Sequence, residues 1–182
     1  LHSGVKSIAA LLREVRPALR AAPLAVGALR AGTVVTAHGL IVPRDLIDCP
    51  LTGEICVYYR YTVERWRRSR VAGVGGDGFW ETQDRDEAIA EFYLADPARP
   101  EVRAVVAPHG ATVHLGRGVV PRIHQLDADR RGVEVLLRSG DRIEISASVE
   151  EVHDLLDEAR SYRAPAQRLM LTAPTIVLRG PR

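Results

Sequence analysis

The residues with the most chemical potential in this chain are two cysteines, Cys49 and Cys56, and an aromatic stretch rich in cations. That stretch is Tyr58-Tyr59-Arg60-Tyr61, followed by Arg65-Trp66-Arg67-Arg68-Ser69-Arg70. A thiol beside arginines is the setting that lowers a cysteine pKa and makes a nucleophile. Cys56 has Arg60 and Arg65 near it in sequence, yet it lies in an alternating apolar run, where a thiol serves as a small buried hydrophobe. With His109 and His114 the cysteines invite a metal site. None of the spacings matches a Cys-x-x-Cys pair or a His-x3-His helix, so His2, His38, His109, His114, His124 and His153 read as structural or surface groups. Cys49 and Cys56 can meet across the Pro50–Ile55 turn, and a reduced pair is the expectation.

The glycine run Gly73-Val74-Gly75-Gly76-Asp77-Gly78 lacks the Lys-Ser/Thr of a phosphate loop and has no clear helix behind it, so it reads as a flexible connection. No serine sits in a Gly-x-Ser-x-Gly elbow. No catalytic constellation, metal or cofactor is expected. Interleaved aromatics and arginines can stack bases and hold phosphates. Alternation, however, puts Tyr59 and Tyr61 on the face of Val57 and Val63, which makes them core. A formal charge of +2 over 182 residues also argues against a nucleic-acid partner. Local charge is uneven: the arginines of 60–70 precede Asp77, Glu81, Asp84, Asp86, Glu87 and Glu91, and such neighbouring blocks pair across a hairpin or loop.

The elements that position these residues follow from periodicity. Val5, Ile8, Leu12, Val15 and Leu19 predict a basic amphipathic helix over 4–22, of the kind that packs on its own domain or lies on an anionic membrane surface. Short strands follow: 33–36, 39–42, a long one at 55–66, 79–80 and 90–94. Residues 102–106 and 111–115 read as a hairpin around Pro108-His109-Gly110. A second hairpin joins 133–137 to 142–145 through Ser139-Gly140-Asp141. Ser148-Val149-Glu150-Glu151 is a capping box, and Val149, Val152, Leu155, Leu156 and Ala159 predict a helix over 148–162. Ile176–Leu178 is a final strand. Hydrophobic residues at 46% and charged residues at 26% suit one globular domain with a real core. No run approaches a membrane span, and no secretory signal is visible. Leu1 rather than Met stands first, so the chain is expected to be part of something longer.

In order, Gly39, then Cys49-Pro50-Leu51-Thr52-Gly53, then Cys56-Val57-Tyr58-Tyr59-Arg60-Tyr61-Thr62-Val63-Glu64 are followed by Trp80, Phe92-Tyr93-Leu94-Ala95-Asp96 and Val102–Ala111. Over about residues 30–120 this resembles the GIDE-type, or beside-a-membrane (BAM), domain of membrane-anchored mitochondrial E3 ubiquitin ligases and of bacterial membrane-associated relatives. The resemblance implies a non-catalytic module that binds substrates or partners, membrane-associated in its parent protein. Two cysteines cannot build the zinc-binding RING of those ligases, so ligase activity is not expected of these residues.

The expected fold is α+β: a β-rich twisted antiparallel sheet or small barrel with flanking N-terminal and C-terminal helices. Residues 1–29 form the helix and linker and 30–120 the β-rich domain. Residues 121–182 supply the hairpin, capped helix and final strand, packed on the same domain. The expected core contains Ile55, Val57, Tyr59, Tyr61, Val63, Phe92, Leu94, Val105, Val113, Leu136, Ile145, Leu155 and Leu156. A protein partner is expected on the exposed face of the long strand and its basic end: Tyr58, Arg60, Arg65, Trp66, Arg67 and Arg68. The rival readings are a module docking on anionic lipid through the 4–22 helix, and a cysteine-dependent enzyme using Cys56.

Overall fold

Alternating apolar residues build nearly everything that the computed structural model describes, which is residues 22–68, 78–116, 119–154 and 166–178. After β1 (Leu24–Ala25) and a single 3-10 turn at Val26–Ala28 come β2 (Val34–Pro43), β3 (Ile47–Asp48), β4 (Ile55–Cys56), β5 (Tyr58–Arg68) and β6 (Gly78–Ile89). Then follow β7 (Phe92–Ala95), β8 (Arg103–Val106), β9 (Thr112–Leu115), β10 (Arg122–Gln125), β11 (Arg130–Leu137), β12 (Arg142–Asp154) and β13 (Ala166–Leu178).

Five of these strands close into a barrel in the order β2-β12-β13-β8-β7, with β7 returning to β2 through Ile41 opposite Leu94. Neighbours are antiparallel except β13 and β8, which run parallel with Leu171 beside Val106. Inward positions alternate as a closed sheet requires. Ala37, Ile41, Phe92, Leu94, Ala104, Val106, Ile143, Ile145, Ala147, Val149, Leu171 and Ile176 are buried in one cluster. A second, four-stranded antiparallel sheet has the order β10-β11-β5-β6. Its inner end joins the barrel core through Val57, Tyr58, Val135 and Leu137. The β3–β4 ribbon covers the opposite face of that end, where Cys49, Cys56 and Tyr59 form a smaller core with Ile47, Leu51, Tyr61, Ala88 and Leu136.

The strand-rich architecture and the barrel match the expectation; the flanking helices do not. The 4–22 helix lies outside the described residues, apart from its last position. The 148–162 helix is overturned where it is described, because β12 runs through the supposed capping box to Asp154. Ile143, Ile145, Ala147 and Val149 keep a period of two, and β2 and β13 pair with this strand on both sides. Ladder bonds on two sides outweigh one local cap. The Glu150 carboxylate accepts from the Thr172 hydroxyl at 3.0 Å instead of capping a helix. Leu155 and Leu156 lie outside the described residues.

Both expected hairpins are also corrected. β8 and β9 do not pair with each other; each lies parallel to a successive stretch of β13, carried along that edge by the Gly110 turn. β11 and β12 part at the Ser139-Gly140-Asp141 turn, one entering the four-stranded sheet and the other the barrel. Ile55 lies on the outer side of the ribbon and is 61% exposed, so it is not core; Tyr61, Val63 and Leu136 are half-buried. Among the described residues no helix is long and apolar enough to cross a membrane.

Candidate functional site

β5 and β6 form an arm whose burial falls steadily from base to tip. Tyr58 and Tyr59 are buried, Arg60 to Glu64 are half-buried, and Arg65 to Arg68 are exposed. The complementary charge blocks pair across this hairpin, as their sequence order suggests. Arg60 faces Glu87 and Arg65 faces Glu81, with a bulge beside Val63 and Glu64 that inserts Gln83.

At the base the arm is part of the core, which corrects the expectation for two of the six proposed contact residues. Tyr58 is fully buried because the barrel covers the face that it shares with Arg60. Its hydroxyl donates to Glu87 Oε1 at 3.0 Å, and burial raises the phenol pKa well above its ordinary value. Arg60 donates twice to Glu87, from Nε at 3.0 Å and from Nη2 at 2.9 Å, and Nη2 also reaches the Val113 carbonyl at 2.9 Å. It therefore ties the arm to the barrel edge. Burial works to raise the Glu87 carboxyl, but the Arg60 and Tyr58 hydrogen bonds outweigh it and hold it below its ordinary value.

On the other face Tyr59 and Tyr61 stack at 6.1 Å, with hydroxyls on Asp86 and Asp84. The Asp86 hydrogen bond, with burial, pushes the Tyr59 phenol up to about 12. These rings are packed, and they offer no stacking platform.

The outer end is different. Alternation separates the remaining four residues, with Trp66 and Arg68 on one face and Arg65 and Arg67 on the other. Trp66 is 39% exposed and meets Trp80 edge-on, ring centroids 5.3 Å apart and planes at 63°. Gly78 gives the Trp66 indole its place, since a Cβ there would collide with the ring. Arg131 of β11, held by Glu64 at 2.7 Å, lays its guanidinium 4.1 Å from the Trp80 ring centre. On the reverse face Arg67 bonds Glu81 and Arg65 bonds Asp129, beside Phe79, which is 56% exposed. Sequence reasoning reached Trp66 and Arg68 but missed Trp80 and Arg131 as members of the site. Trp80 comes opposite Trp66 only because the bulge at Gln83 shifts the hairpin register by one residue, which no local signal in the sequence reports.

A second cluster surrounds Glu134, whose side chain is fully buried between β10, β5 and the ribbon. Its Oε2 accepts from the Cys49 thiol at 3.4 Å and from the Thr52 hydroxyl at 3.1 Å. Its Oε1 lies 2.8 Å from His124 Nε2 and 3.2 Å from the Arg122 guanidinium, which also binds Glu54. Gly132 leaves room for Leu51, whose Cδ2 would lie 2.7 Å from an added Cβ. The arrangement pins the ribbon to the sheet. Cys56 is buried beside it, its thiol on the Ile47 carbonyl and pushed up to about 11 by burial and by Cys49. A thiol held protonated is the opposite of an activated nucleophile. Among the described residues no group of three or more His, Cys, Asp or Glu gathers to hold a metal. On the barrel exterior Arg44, Arg103 and Arg168 lie 5.6, 4.3 and 5.3 Å from the Tyr93 ring centre, packing over its face.

No protein-family model matches the chain, and no curated protein or solved structure matches it.

Proposed function

We propose that this chain is a non-catalytic protein-recognition module of a membrane-associated protein, of the GIDE-type or beside-a-membrane kind. Its partner surface is the outer end of the β5–β6 arm: Trp66, Trp80, Arg68 and Arg131, with Arg65, Arg67 and Phe79 behind. The Trp66–Trp80 pair, Trp66 exposed and Trp80 half-buried beneath it, carries this reading. The pair stands at the end of the arm away from both cores, and Trp and Arg dominate binding hot spots. The arginine stacked on Trp80 and the carboxylate-held guanidinia around it keep the patch ordered before a partner arrives. Tyr58 and Arg60 support the arm without touching the partner.

The test is capture from membrane and soluble fractions of the native host, comparing the intact chain with a Trp66→Ala, Arg68→Glu variant of unchanged thermal stability. A protein retained by the intact chain and lost from the variant is the expected outcome. Equal capture by both, or none by either, contradicts the reading.

A further inference from the structure

The two edges of the four-stranded sheet are treated in opposite ways. β6 runs along one edge for 12 residues, with Glu81, Gln83, Asp84, Arg85, Asp86 and Glu87 exposed and a bulge at its middle. Charge and a bulge are the devices that keep a sheet edge from pairing. β10 forms the other edge, and among the described residues no strand lies beyond it. It carries no carboxylate. Ile123 is 62% exposed, and the flanking Val120 and Leu126 are 83% and 41% exposed. The Arg122 charge is already matched by Glu54 at 2.6 Å.

From these observations we infer that β10 pairs with β10 of a second copy of this chain, antiparallel about a two-fold axis through Ile123. The backbone permits it. The Leu126 amide donates to the Arg130 carbonyl at 3.1 Å, so even-numbered positions of β10 turn towards β11 and Ile123 and Gln125 turn outward. The axis sets the Ile123 amide and carbonyl against those of Ile123 in the second copy. Gln125 then donates to the Pro121 carbonyl across the axis; the proline returns no N–H, so the ladder ends there with the Gln125 carbonyl left to solvent. The exposed apolar residues are spaced symmetrically about Ile123, so Val120 of each copy meets Leu126 of the other. That symmetry favours a second copy over an unrelated strand, because one self-complementary edge satisfies both sides. The arms would then extend to opposite ends of one continuous sheet.

The test uses the whole chain and three variants, each shown to be folded by its melting temperature. Sedimentation equilibrium of the unmodified chain should give a concentration-dependent dimer, and Ile123→Lys should be monomeric. Ile123→Cys, with oxidised glutathione, should link across the axis; two thiols lose two protons and two electrons, and the glutathione leaves as two reduced molecules. Antiparallel partners that exchange both backbone bonds have Cα atoms at disulfide distance. Linking should outpace that of Val34→Cys, an 81% exposed control on the barrel, by about a hundredfold, because the dimer supplies the effective concentration. Buried Cys49 and Cys56 remain reduced in both. A monomer at every concentration, a dimer indifferent to Ile123→Lys, or equal linking at positions 123 and 34 would overturn the assignment.

Discussion

Arg60 grips Glu87 with two nitrogens, and one of them also reaches the carbonyl of Val113 on the barrel edge. One side chain thus joins both strands of the arm to the barrel. Arg60→Ala should lower stability by about 1 to 2 kcal/mol, the range for charge-assisted hydrogen bonds discounted for partial exposure. Urea unfolding monitored by tryptophan fluorescence measures it. Arg60→Lys keeps the charge, loses the fork and should recover less than half of the loss.

Glu134 is the strongest single point in the second core. Glu134→Ala takes the shared acceptor from His124, Thr52 and Cys49, while partly exposed Arg122 keeps Glu54, and should cost about 2 to 3 kcal/mol. Thr52→Val removes one donor at the edge of the cluster and should cost about 1 kcal/mol. Thermal unfolding of the two variants separates these magnitudes; equal losses would mean that the ribbon is not held through Glu134.

Gly78→Ala tests how the tip is built. A methyl group there collides with the Trp66 indole and with the Arg67 carbonyl, displacing both the ring and the end of the ladder, so the near-ultraviolet dichroism of the Trp66–Trp80 pair should collapse. Global stability should fall by only about 1 kcal/mol, since the change lies far from both cores. An unchanged dichroism spectrum would show that the indoles are not held edge to face.

Titration follows from the two faces of the arm. Folding holds the Tyr59 phenol protonated, raising its pKa from 10.0 to about 12, so its contribution is complete below pH 10 and is lost as pH rises towards 12. The native phenolate absorbance should show a late step that Tyr59→Phe removes. Glu87 shifts the other way. Its carboxyl is held below 4.5, so its contribution is present above that value and is lost as pH falls further below it.

Strand alternation made much of the architecture legible. The β5 periodicity, the Phe92–Leu94 run and the Ser139-Gly140-Asp141 turn all stand where the sequence puts them. Pairing was not legible. Glu81 to Glu87 has no apolar alternation of its own, and pairs with β5 through the backbone ladder, with Arg60 and Arg67 on Glu87 and Glu81 and the Tyr59 and Tyr61 hydroxyls on Asp86 and Asp84. Ser148 to Glu151 satisfies a helix cap locally, and only the two flanking strands decide against it. In the site, Trp66 and Arg68 could be named from the basic end of a long strand. Arg131 could not, because it arrives through the Glu64–Arg131 register, 67 residues away in the chain. Nothing local in the sequence reports that the barrel covers Tyr58, so alternation alone assigns it to the exposed face.

The most direct test of the recognition claim is photo-crosslinking in the native host. A benzophenone side chain at position 68 sits beside the Trp66–Trp80 pair, and the same group at position 34 sits on the barrel. A discrete protein adduct from position 68, absent from position 34 and abolished by Trp66→Ala, is the predicted result. No adduct at position 68, or the same adducts from both positions, would contradict a recognition surface at the end of this arm.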